Sequence, residues 1–220
     1  MPIIVFLRGV NVGGHRAFRP SLLAKQLEEY GVVNIGAAGT LVVRRPVTQA
    51  RLRSEILRCL PFETEVITCT SRELIAAVGG DPFAGVPAHA EIVRFVSVLA
   101  KRPQASPPVP LGLPESGNWF LKVLSVRGRF VFGVYRRKMQ AIRYLGALDR
   151  VFGAAATTRN WNTISAILKA LPKRGGPYSR TDAGRLSRRA METCRESRLR
   201  TRLPACTRVV IPNPPRFLRG

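Results

Sequence analysis

The 220-residue sequence predicts an α+β protein of two subdomains, and three observations lead there. Short apolar runs and helical patterns follow one another in the order βαββαβ over residues 3–70. Three further strand patterns and two helical ones follow over residues 92–171. An apolar content of 45% beside 22% charged residues belongs to a chain that can bury a core.

Residues 3–8 (IIVFLR) form an apolar run ending in Arg8, a strand by length and composition. A glycine-rich loop, GVNVGG, covers residues 9–14. Pro20 suits the first turn of a helix, Leu22, Leu23, Leu27 and Tyr30 fall near one face of it, and Gly31 ends it. Residues 32–35 and 41–43 flank Gly36-Ala-Ala-Gly39, a hairpin signal. Leu52, Ile56, Leu57 and Leu60 repeat a helical period over residues 48–60, which Pro61 stops. Residues 64–70 alternate as a strand does. Together these elements, over residues 1–85, match a ferredoxin-like arrangement in which helices cover one face of an antiparallel sheet. A short helix at 71–78 and a turn at Asp81-Pro-Phe83 lead out of it.

Residues 86–171 are expected to form a second α+β subdomain, a smaller antiparallel sheet with helices. Its strands are 92–99, 119–126 and 130–135, the last two joined by a tight turn at Arg127-Gly128. The proline-rich stretch 102–114 between them is expected to run exposed. Met139, Ile142, Leu145, Leu148 and Phe152 mark a helix over 139–152. Ile164, Ile167, Leu168 and Leu171 mark another over 160–171.

The formal charge is +23, and arginine supplies 30 of the 36 cations, a skew that codon bias in GC-rich DNA produces by itself. Residues 172–220 hold 13 cations and 3 anions, so +10 of the charge lies there and +13 in residues 1–171. That tail lacks apolar periodicity and is expected to be disordered. Two readings stand for it: an out-of-frame translation product, or a nucleic-acid-binding arm. No apolar run reaches the roughly 18–20 residues that cross a bilayer. The N-terminus has no export signal, so a cytoplasmic protein without a membrane partner is expected. Cys59, Cys69, Cys194 and Cys206 show no C-x-x-C pair and no zinc spacing, so neither a metal nor a cofactor is expected.

Two motifs stand above this background: Arg8-Gly-Val-Asn-Val-Gly-Gly14 after the first strand and Thr157-Thr-Arg-Asn-Trp-Asn-Thr163 before the last helix. In them, and in Asp81-Pro-Phe83 and the Trp119-containing hairpin, the chain resembles the domain of unknown function 1697 family over residues 3–171. The resemblance implies two α+β subdomains, the first ferredoxin-like, and no particular reaction. Ala38-Gly39-Thr40 stands where family members typically carry Ser-Gly-Asn, and His15 where many have Lys.

The glycine loop can turn sharply and expose N–H groups, as an anion-binding nest does, or it can be a packed turn. It is neither a P-loop nor G-x-G-x-x-G. In the second motif Asn160 or Asn162 can cap the helix. Arg159 beside a positive helix end implies an anion between them, either a ligand or an internal carboxylate such as Asp149 or Glu91. The leading expectation is a cleft between the motifs that binds a small anionic or phosphorylated ligand. Its contacts would be Arg8, Asn11, Gly13, Gly14, His15, Arg159, Asn160 and Asn162. The alternative is a nucleic-acid-binding module using the basic surface at Arg44-Arg45 and Arg136-Arg-Lys138; Phe130, Phe132 and Tyr135 alternate only partly, and core packing explains them more simply than base stacking. No triad or paired-carboxylate motif points to a catalytic class, and His15 is the one candidate acid/base in the loop.

Overall fold

The computed structural model describes residues 1–11, 18–86, 89–103 and 107–172. Among them lie two antiparallel sheets and five α-helices. The first sheet holds β1 (Ile3–Leu7), β2 (Val32–Asn34), β3 (Thr40–Val43) and β4 (Val66–Thr70) in the order β2-β3-β1-β4. Helix α1 (Pro20–Gln26) and a 3-10 turn (Glu28–Tyr30) connect β1 to β2, and α2 (Gln49–Cys59) connects β3 to β4. Gly31 ends the 3-10 turn at φ +61°, a left-handed conformation that glycine adopts without strain. Helix α3 (Ser71–Val78) leaves β4 through a capping box in which the Thr70 hydroxyl accepts from the Glu73 amide and the Glu73 carboxylate accepts from the Thr70 amide.

The second sheet has the order β6-β7-β8-β5-β9, from β5 (Ile92–Leu99), β6 (Leu111–Leu113), β7 (Leu121–Arg127), β8 (Phe130–Arg136) and β9 (Ala156–Asn160). It holds five strands where a smaller sheet was expected, because β6 is only three residues long and β9 carries no apolar alternation. β6 lies within the proline-rich stretch taken from the sequence as an exposed loop. β9 (ATTRN) is polar and is held by its pairing with β5, Val96 opposite Arg159. Helices α4 (Met139–Phe152) and α5 (Trp161–Ala170) complete the fold. The apolar face of α4 differs from the expected one: Ala141, Leu148 and Phe152 are buried, while Met139 and Ile142 lie on the surface.

The two central strands of the first sheet, β1 and β3, are buried on both faces. Ile3, Val5 and Leu7 of β1 pack beneath α1 and α2 with Leu23, Leu52 and Ile56. Ile4 and Phe6 point the other way, into a cluster with Val96 and Val98 of β5, Phe132 of β8, Leu74 of α3 and Ile164 of α5. Both sheets therefore share one central core, and the described residues belong to one compact unit. A third cluster, with Phe95, Val131, Leu148 and Phe152, lies between the second sheet and α4. Gly133 of β8 makes this packing close: a Cβ there would lie 2.5 Å from the Lys122 carbonyl oxygen and 2.6 Å from the Phe95 ring.

Candidate functional site

The end of β1, the β2–β3 hairpin and β9 meet around a single buried guanidinium. Pairing with β5 turns Arg159 toward the first sheet, where it is 7% exposed. All five of its N–H donors are used. Nε donates to Thr40 Oγ1 (2.6 Å), Nη1 to Thr157 Oγ1 and the Thr158 carbonyl (both 2.8 Å), and Nη2 to the carbonyls of Leu7 (2.9 Å) and Ala38 (2.7 Å). Its partners lie on β9 of one sheet and on β1 and the β2–β3 hairpin of the other. No carboxylate pairs with it among the described residues. Burial pulls the guanidinium down to about 10, which leaves it charged at neutral pH.

Asn11 grips the same hairpin from the other side. Its Nδ2 donates to the Ala37 carbonyl (2.7 Å) and to the Phe18 carbonyl (3.0 Å), and its Oδ1 accepts from the Phe18 amide (2.9 Å). At φ +54° it stands in the left-handed region, which asparagine tolerates better than most residues. The two motifs thus converge on adjacent carbonyls, Ala37 held by Asn11 and Ala38 held by Arg159. Gly39 permits the approach, since a Cβ there would lie 2.6 Å from Val10 Cγ2.

Arg8 makes a second tie. Its Nε donates to the Ala156 carbonyl (3.2 Å), and Nη2 forms an ion pair with Asp149. The other Asp149 oxygen accepts from the Ala156 amide (3.0 Å), so one carboxylate joins β1, α4 and β9. The carboxylate proposed from the sequence for Arg159 therefore belongs to Arg8. Glu91 also forms no ion pair with Arg159.

Of the paired asparagines, Asn160 caps α5: its Oδ1 accepts from the amide and hydroxyl of Thr163, both at 2.8 Å. Asn162, in the first turn of α5, is exposed, and the Trp161 ring between them packs edge-on against Phe83 with centroids 5.0 Å apart. No acidic residue occupies that first turn. Gly13, Gly14 and His15 lie outside the described residues, as does the tail from 173 onward. That Thr40 and the two alanine carbonyls would be the acceptors carried no signal in the sequence. A carbonyl belongs to every residue, and Thr40 stood out only as a departure from the family's Ser-Gly-Asn, not as a partner for Arg159.

Part of the surface proposed for nucleic acid is engaged within the protein, while Arg137 and Lys138 are exposed. Phe130 and Phe132 are buried at 3% and 0% exposure, inside the central core. Arg44 donates from Nε and Nη2 to the Ala170 carbonyl at the end of α5 (3.1 and 2.8 Å), and Arg45 to the Glu29 carbonyl (2.9 Å). Among the described residues no three of His, Cys, Asp and Glu gather as a metal site would need, and no helix is long and apolar enough to cross a membrane. Burial pushes the Cys69 thiol up to about 12, so it is an inert core group.

Comparison with known proteins agrees with the first motif. The description "protein of unknown function (DUF1697)" matches residues 1–112, just over half of the chain. The chain belongs to the DUF1697 family. The matched part carries Arg8, Asn11 and the β2–β3 hairpin, while Arg159 and its neighbours lie beyond it. The solved structure of the conserved bacterial protein SP0830 from Streptococcus pneumoniae is similar over 76% of this chain and 97% of that one. Identity is 14% and the TM-score 0.50, a likeness of fold alone. No curated protein matches the chain.

Proposed function

We propose that this DUF1697 protein binds a small anionic or phosphorylated ligand where the loop after β1 meets the start of α5. Residues 1–85 act as a ferredoxin-like subdomain and residues 86–171 as a second one, with the ligand at their junction. The observation that carries the reading is that no carboxylate among the described residues pairs with the buried Arg159. A buried cation held only by neutral oxygens leaves a positive potential at the place where both family motifs converge. A bound anion nearby would balance it, and the free first turn of α5 adds to the attraction.

On this reading the roles within the site divide. Arg8, Asn11 and Arg159 spend their donors on the protein and serve as its frame. Asn162 and the Nδ2 group of Asn160 are left as contacts; Gly13, Gly14 and His15, outside the described residues, keep the contact role that the sequence suggests. The test is a thermal-shift screen of the full chain against nucleoside monophosphates, sugar phosphates and short RNA and DNA oligonucleotides, repeated on Asn162→Asp. A ligand at a hundred times its dissociation constant should add about 2.7 kcal/mol of stability. The aspartate favours the helix start but repels an anion, so a stabilisation seen in the wild type should be lost in the variant. Stabilisation by oligonucleotides alone, equal in both proteins, would overturn the reading in favour of a basic nucleic-acid surface.

A further inference from the structure

A second feature lies at the edge of the first sheet. A groove of about 460 Å3 runs along the outer edge of β4, between the start of α2 and the turn joining β7 to β8. Edge strands are open to pairing with another chain, but this one is closed by arginine. Arg53 Nη1 donates to the Val66 carbonyl (2.7 Å), and Arg129 Nη2 donates to the Thr68 carbonyl. A partner strand would have to displace both guanidinium groups, so the groove is not suited to one.

The remaining polar groups are unequally divided between donors and acceptors. Glu73 is engaged by the Thr70 amide and hydroxyl (2.8 and 2.9 Å) and lies 3.5 Å from Arg129 Nε. Glu65 faces Arg8 at 3.9 Å. Gln49 turns its Oε1 to the Thr68 hydroxyl (2.8 Å), which leaves its amide N–H groups for the groove. Arg53 spends one nitrogen on Val66 and keeps Nε and Nη2 without a partner among the described residues. The groove therefore offers planar guanidinium and amide donors, while Glu73 is already hydrogen-bonded and Glu65 is paired at longer range with Arg8. That is the chemistry that recognises a flat or tetrahedral oxyanion.

We propose that this groove is a second binding site, for a small molecule held through a phosphate or carboxylate group by Arg53 and Gln49. Its size suits a small metabolite, pockets for such ligands running from about 300 Å3 upward. Arg129, pinned by Thr68, Glu73 and the Leu99 carbonyl (3.2 Å), fixes the far wall and adds positive potential.

The experiment is a residue-resolved amide NMR titration of the full chain with inorganic phosphate and, separately, with citrate. Each is compared with sodium chloride at the same ionic strength, and the series is repeated on Gln49→Glu. That substitution keeps the oxygen that Thr68 needs and places an acid in the first turn of α2, so the fold is retained while the groove gains a negative charge. The expected result is saturable shifts at residues 49–53, 68 and 129, with affinity at least tenfold weaker in Gln49→Glu. Response to phosphate assigns a phosphoryl ligand, and response to citrate a carboxylate. Shifts that match those in chloride, that persist undiminished in Gln49→Glu, or that fall only at residues 160–163 would overturn the proposal. The last of these would leave the junction site standing.

Discussion

Arg159 joins parts of the chain that lie more than a hundred residues apart, and no carboxylate among the described residues pairs with it. Its planar fork reaches two carbonyls and a threonine hydroxyl across the boundary between the sheets, which an ammonium group cannot match in geometry. Arg159→Met should lower stability by roughly 4 kcal/mol, since several buried acceptors lose their donors at once. Arg159→Lys should recover less than half of that loss in urea unfolding. A lysine variant as stable as the wild type would mean that charge, not the fork, is what the site requires. The sequence made Arg159 and Asn11 conspicuous through their motifs. It could not show that their donors are consumed inside the protein, because the acceptors are main-chain oxygens that no residue type announces.

At the scale of the element, the polar caps are as telling as the apolar stripes. Asn160→Ala removes the cap of α5 and should cost about 1 kcal/mol, whereas Asn162→Ala should stay within about 0.5 kcal/mol. Equal losses in the two variants would show that the cap assignment is wrong. In α3, burial raises the Glu73 carboxyl, but hydrogen bonds from the Thr70 amide and hydroxyl and the charge of Arg129 outweigh it and hold it below the usual range. A folded value below the unfolded one means that its contribution is present above the ordinary carboxylate pKa of about 4.3 and fades as pH falls through the depressed value. The difference in urea midpoint between wild type and Glu73→Gln should therefore shrink in acid. A constant difference down to the acid transition would contradict the capping box. Strands with apolar alternation were legible in the sequence, and β9 was not, since its place is set by β5 and by the guanidinium it carries. In α4 two apolar stripes compete, and only packing against the second sheet decides that Ala141, not Met139 or Ile142, faces inward.

For the whole molecule, the charge surplus suggested a nucleic-acid surface, yet much of the arginine serves as mortar. Arg8, Arg44, Arg45, Arg53, Arg94, Arg127, Arg129 and Arg159 each donate to a main-chain carbonyl. Composition counts charges, but it does not show which of them are already committed to holding the sheets and helix ends together. The α+β class and the family followed from pattern and motif, whereas the sharing of one core by both sheets needed the fold. The most direct test of a junction frame with free asparagine contacts is side-chain amide NMR of the full chain labelled at asparagine, titrated with ribose 5-phosphate and adenosine monophosphate. The signals of Asn160 and Asn162 should move to saturation with at least one of them, while that of Asn11, fixed on the Ala37 and Phe18 carbonyls, should stay in place. If none of the three moves, or if Asn11 alone does, the start of α5 is not the ligand site.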